Sequence, residues 1–161
     1  MVTQLSILTA VLDGHVDALR STIEAIPLGD QSPFASVAGT HNGRWVVVTP
    51  KPIAPDTLLM SSATIDRPVA EWLVDFLGVL GPTADAIWSH CAGWPSEASR
   101  QLDWLTTHRV HSALSFATWD VPAAEIIDAL ATRARVERLV LRAQGLDAPA
   151  LLAAYREEVV R

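Results

Sequence analysis

The chain has one cysteine and one tyrosine among its 161 residues, and a single lysine, Lys51, set against eleven arginines. A lone Cys91 can close no intramolecular disulfide, so the chain carries no mark of an oxidising compartment. Cationic surface is scarce too. The formal net charge is −6, and Met1 to Glu97 holds four basic residues against ten acidic, with eight of each thereafter. Binding to a phosphate backbone needs clustered Lys and Arg, which excludes a nucleic-acid partner from the expectations. No apolar run approaches the roughly 20 residues required to cross a bilayer. The opening "MVTQLSILTAVLDGH" lacks a positive leader and a small-residue cleavage site. It is therefore read as a first strand, and the expectation is a soluble, cytoplasmic protein with no membrane partner. GxGxxG, P-loop, GxSxG and HExxH motifs are all missing, which removes the common nucleotide, flavin and hydrolase fingerprints.

What is present is apolar. Half of the residues are hydrophobic, enough for one packed domain over 1–161. Abundant Ala, Val and Arg fits the coding bias of a GC-rich bacterium. "LSILTAVL" (Leu5 to Leu12) is apolar on both sides, as a central strand would be. Asp13 is placed to cap a helix in which Val16, Leu19, Ile23 and Ile26 recur at helical spacing up to Pro27. "RWVVVTP" reads as a second strand and "TLLMSSATI" as a third. Asp66 and Pro68 then introduce "VAEWLVDFLGVLG", with Val69, Trp72, Leu73, Phe76 and Leu80 on its inner side. Gly81-Pro82 closes that helix, and "DAIWSHC" reads as a fourth strand.

Strand, helix, strand, strand, helix, strand is the ferredoxin-like βαββαβ core, an α+β fold whose antiparallel sheet has its helices on one face. This core spans 1–95. The elaboration over 96–161 comprises a helix "EASRQLDWLTTH", a fifth strand "VHSALSFATW", a long helix and a last one. The long helix starts at Asp120-Pro122 and should bury Ile126, Ile127, Leu130, Ala134 and Leu139. The last opens at Asp147-Pro149 and carries Leu151, Leu152, Tyr155 and Val159.

Strands apolar on both sides need cover on the side the helices leave bare: C-terminal helices, a partner subunit or an apolar ligand. A period of two puts Trp88 and His90 on one side of the fourth strand and Ile87, Ser89 and Cys91 on the other. In the second strand His41, Gly43 and Trp45 oppose Asn42, Arg44 and Val46; in the third, Ser61 and Ala63 oppose Met60 and Ser62. Small Ser89 and Cys91 suit close packing under a helix, which leaves Trp88 and His90 facing a cavity.

The stretches "LTAVLDGHVDALRSTIEAI", "SPFASVAGTHNGRWVVV", "LLMSSATID" and "AIWSHCAGWP" resemble a bacterial family of ferredoxin-like domains of the dimeric α+β barrel type. Such domains occur alone or beside catalase- and peroxidase-like modules. "SALSFATWDVPAAEIIDALATRARVERLV" resembles that family's last strand and long helix, so the likeness covers most of the chain. It implies the fold and a homodimer more than a reaction. Where the family pattern is close to His-Phe-Ala-Arg, this chain has His41-Asn42-Gly43-Arg44, trading an aromatic for an amide.

Three functional readings follow. The first is a small-molecule enzyme acting on a hydrophobic carbonyl or enol substrate by proton transfer (a cyclase or isomerase) or by cofactor-independent oxygenation. Arg44 would stabilise an oxyanion, His41 or His90 would move a proton, and Asn42, Trp45, Ser62 and Trp88 would line the substrate site. No cofactor and no metal are expected in this reading. The second is a haem protein with His90 or His41 as axial ligand. The third is a non-catalytic dimerisation or accessory module serving a redox enzyme. The plainer alternatives are a surface-paired Arg44, a loop-ending His41, a packed Trp88 and a His90 bonded to a backbone carbonyl. His108 and His111 are placed too poorly for a metal pair, His15 is expected in solvent, and Cys91 lacks a base to activate it.

Overall fold

Alternation with a period of two sorts the strands into a buried and an accessible side. In the computed structural model, which describes residues 2–49, 56–111 and 120–158, β1 (Thr3–Ala10) buries Leu5, Ile7 and Thr9. β3 (Leu58–Ile65) buries Leu59, Ser61, Ala63 and Ile65. Between them in sequence come α1 (Val16–Glu24), a short 3-10 turn over Pro33–Ser36, and β2 (Thr40–Val48). β4 (Arg109–Val110) completes a four-stranded antiparallel sheet of order β2-β3-β1-β4. The architecture is α+β, with an open sheet.

The buried side packs against α2 (Val69–Leu80), whose Trp72, Leu73, Phe76 and Leu80 lie in one core with Leu5, Ile7, Leu59 and Ile65. Each such side chain taken from water contributes about 1.5–3 kcal/mol. Leu19 of α1 is fully buried, and Val16, Ile23 and Ile26 pack half-buried against the same core, as their spacing predicts. Asp13 does not cap this helix. His15 occupies the N-cap position and accepts no side-chain cap bond.

The expected fourth strand is a helix. Residues Pro82–Trp88 form α3, begun by proline at its first position after Gly81, which adopts φ 47°. Ala84, Ile87 and Trp88 are buried at i, i+3 and i+4, a helical rather than an alternating pattern. Gly81-Pro82 therefore ends one helix and starts the next. Only an isolated bridge, Val11 with Cys91, survives of the expected strand pairing. The sheet's last strand comes instead after α4 (Ala98–Thr107), at Arg109–Val110. The remainder of the expected fifth strand, 112–119, lies outside the described residues, as do residues 50–55 and Val159.

The chain divides into two compact units, 1–120 and 121–161. The second contains α5 (Ala123–Arg142) and α6 (Ala148–Glu158), tied by Arg138 and Arg142 to Glu158 and by Arg142 to Glu157. Asp147 caps α6, its Oδ1 accepting the Ala150 N–H at 2.9 Å. Ile127 and Leu130, expected on the buried side of α5, are 63% and 58% exposed. Among the described residues no helix is long and apolar enough to cross a membrane.

Candidate functional site

The accessible side of the sheet presents four cross-strand rows. Pairing sets Asn42 beside Thr64 and Gln4, and Arg44 beside Ser62 and Ser6. The next rows are Val46, Met60 and Leu8, then Val48, Leu58 and Ala10. None of these twelve side chains is buried. The face is thus polar toward one end of the strands and aliphatic toward the other. A shallow hollow of about 380 Å³ sits over the polar rows, lined by Gln4, Ser6, Asn42, Arg44, Ser62 and Thr64 among others.

Among the described residues Arg44 is the one charged side chain lining this hollow. Its Nε donates to Ser62 Oγ at 3.1 Å, which orients the guanidinium plane. Among the described residues no partner engages its Nη groups, so two donors on one planar fork are available to an anionic or carbonyl oxygen. Asn42 and Ser62, expected at the substrate site, line the same hollow.

The other expected site residues lie elsewhere. His41 sits at a register shift between Thr40 and Asn42, the extra residue of a β-bulge. The bulge turns its ring away from the hollow: Nε2 lies 3.4 Å from Asp66 Oδ2, with side chains 7% and 13% exposed. Trp45 belongs to the buried side, stacked obliquely on Phe34 at 4.4 Å between ring centroids. Above Gly43 lies the Phe34 ring, which only a residue without a Cβ allows. Trp88 is fully buried on α3, so the expectation that it faces a cavity is overturned by the helix that carries it.

His90 is not on a strand either, and His15 is not free in solvent. Their Nδ1 atoms lie 3.0 Å apart, and both rings are half-buried. The ring centroids are 5.3 Å apart, wider than the nitrogens by about two ring radii, so the rings meet head-on. A chelated ion needs two lone pairs converging off the nitrogen–nitrogen line. Head-on rings make one Nδ1–H···Nδ1 hydrogen bond instead. Sequence reasoning missed this pair because residues 15 and 90 are brought together by the short pairing of Ala10–Leu12 with His90–Ala92, in which the Leu12 N–H donates to the His90 carbonyl and the Ala92 N–H to the Ala10 carbonyl, each at 2.9 Å.

His108 Nδ1 bonds the Trp104 carbonyl at 2.8 Å. Among the described residues no three His, Cys, Asp or Glu side chains gather as a metal cluster. Cys91 is buried beside Thr9, whose Oγ1 lies 3.3 Å from the sulfur. Burial pushes its thiol up, and the Thr9 contact offsets this only in part. Cys91, Ser89, Asp85 and Trp94 help line a second hollow, of about 440 Å³. Comparison of the chain with family models, with curated proteins and with solved structures finds no match in any of the three.

Proposed function

We propose that the accessible sheet face is a binding site for an amphipathic small molecule that carries a carbonyl or carboxylate head and an apolar body. The observation that carries this reading is Arg44, held by Ser62 and with no partner at its Nη donors among the described residues, at the polar end of a face whose other half is Leu8, Val46, Leu58 and Met60. The head would take the guanidinium fork, with Asn42 and Ser6 at hand for further hydrogen bonds. The body would lie along the aliphatic rows, where about 25 cal/mol is gained per Å² of apolar surface removed from water. Such a face can polarise a carbonyl oxygen. With His41 turned to Asp66 and His90 to His15, this reading rests on binding and oxyanion stabilisation rather than on proton transfer by those two histidines.

The ferredoxin-like assignment belongs to the same reading. It is supported by the sheet order β2-β3-β1-β4, with α1 between β1 and β2 and α2 after β3. The fourth strand of that core would be the segment beginning at Arg109. A second reading, cover of the same aliphatic rows by a second copy of the chain, is favoured by the half-exposure of Leu8, Val46 and Met60. For the haem alternative, His41 is enclosed beside Asp66, and neither His41 nor His90 lines the hollows of about 380 and 440 Å³.

The test is titration calorimetry with a medium-chain carboxylate and with the alcohol of equal length. A hydrogen-bonded charge contributes about 1.5–3 kcal/mol, so Arg44→Ala should weaken carboxylate binding about tenfold or more and leave alcohol binding unchanged. Equal binding of both probes by wild type and Arg44→Ala would remove the proposal. Concentration-dependent light scattering, abolished by Met60→Asp, would instead establish the second copy as the cover.

A further inference from the structure

Trp45, Trp72, Trp88, Trp94 and Trp104 lie in one run of ring contacts, and the run reaches from the core toward solvent. Its outer part is a triad. Trp88, fully buried, stacks on Trp94 with centroids 5.4 Å apart and planes 26° from parallel. Trp94 meets Trp104 edge-on at 5.0 Å, and Trp104 lies 4.1 Å from the His108 ring. Trp94 and Trp104 are only half-buried.

Packing alone accounts for rings in contact, but it does not account for the nitrogens. Trp88 Nε1 is buried with no hydrogen-bond partner among the described residues, an arrangement that is costly and that Phe would avoid. Trp94 Nε1, its stacked neighbour, donates instead to a carboxylate, Asp85 Oδ1, at 2.9 Å. Gln101 Nε2 donates to the same oxygen at 2.8 Å and holds it in place. Indole is among the most easily oxidised side chains. Once it has lost an electron, its N–H becomes strongly acidic. Of the two stacked indoles, one therefore has a positioned proton acceptor and the other has none.

We propose that Trp88, Trp94 and Trp104 form a one-electron relay, with Trp94 as the resting place of the oxidising equivalent and Asp85 as its proton acceptor. A high-potential, outer-sphere one-electron oxidant at the surface takes an electron from Trp104 and is reduced by one unit. Trp94 then returns an electron to Trp104. The Trp94 radical cation passes its Nε1 proton to the Asp85 carboxylate, leaving a neutral indolyl radical beside a carboxylic acid. A thiol or comparable one-electron donor restores the electron, and the proton returns from Asp85 to Nε1. Trp88 cannot lose its proton, so the charge does not stay in the core. Its stacked ring shares the positive charge of Trp94 before the proton moves.

Flash-quench oxidation of the full chain by photogenerated tris(bipyridine)ruthenium(III), followed by transient absorption and electron paramagnetic resonance, tests this. Wild type should give a long-lived neutral indolyl radical, and Trp94→Phe should lose it. Asp85→Asn keeps an oxygen acceptor for Trp94 and Gln101 but not a base, so the radical should form in the same initial yield and persist as the cation. A neutral radical of unchanged yield and lifetime in Trp94→Phe, or in Asp85→Asn, overturns the proposal. Because Asp85→Asn preserves the hydrogen-bonding shape, its result decides the matter even if Trp94→Phe fails to fold.

Discussion

His15 and His90 meet nitrogen to nitrogen, Nδ1 to Nδ1 at 3.0 Å, across a separation of 75 residues. One ring donates through Nδ1–H, and the accepting ring carries its hydrogen on Nε2. The bond fastens the N-cap of α1 to the turn that follows α3. A double-mutant cycle with His15→Ala, His90→Ala and both should return a coupling of about 0.5–1.5 kcal/mol in urea unfolding. Strict additivity of the two single changes would show that the rings are neighbours without a bond.

The close approach of Phe34 to Gly43 makes a second prediction. A Cβ at residue 43 runs into the Phe34 ring, which is itself wedged between Trp45 and Phe76. Gly43→Ala should destabilise the fold by about 1–3 kcal/mol through overpacking. Adding Phe34→Leu to Gly43→Ala should cost less than the two single changes summed, because the smaller side chain makes room. The midpoint of denaturant unfolding reads both.

Cys91 should be inert while the protein is folded. Burial pushes its thiol up, so the reactive thiolate is suppressed near neutral pH, and the sulfur has little solvent access. Its rate with an aromatic disulfide reagent should rise with denaturant in step with unfolding. A fast reaction in native buffer would contradict the described packing.

The helical pair 121–161 should weaken in acid. Bonding to Arg142, foremost, and to Arg138 holds the Glu158 carboxyl below its usual range, although burial acts the other way. A carboxylate depressed in the folded state supports it fully above its unfolded pKa and loses that support as pH falls through the folded value. Wild type should therefore be more stable than Glu158→Gln at neutral pH, with the gap closing in strong acid and narrowing in high salt. Thermal unfolding of both proteins followed by circular dichroism across pH measures this gap.

Much of this architecture is legible in local pattern. Alternation alone sets Gly43 and Trp45 opposite Asn42 and Arg44 in β2, and Ser61 and Ala63 opposite Met60 and Ser62 in β3; the pairing register then decided which sets share a side. Helical spacing places Leu19, Trp72, Leu73, Phe76 and Leu80 in the core. These features depend on a repeat of two or 3.6 residues, which neighbouring positions carry by themselves. The segment around Trp88 is different. Seven residues with four apolar ones fit a short strand as well as a short helix, and the packing of Ala84, Ile87 and Trp88 into the core chose the helix.

Chain order and spacing determined an α+β molecule, the alternation that sets Arg44 opposite Trp45, and a solitary, unbridged cysteine. The tertiary structure decided which polar groups meet: His15 with His90, His41 with Asp66, and Trp94 with Asp85. The reason lies in the range of the forces. Periodicity is written over adjacent residues, whereas a hydrogen bond across 75 positions exists only after the backbone has closed the distance, and no local signal announces it.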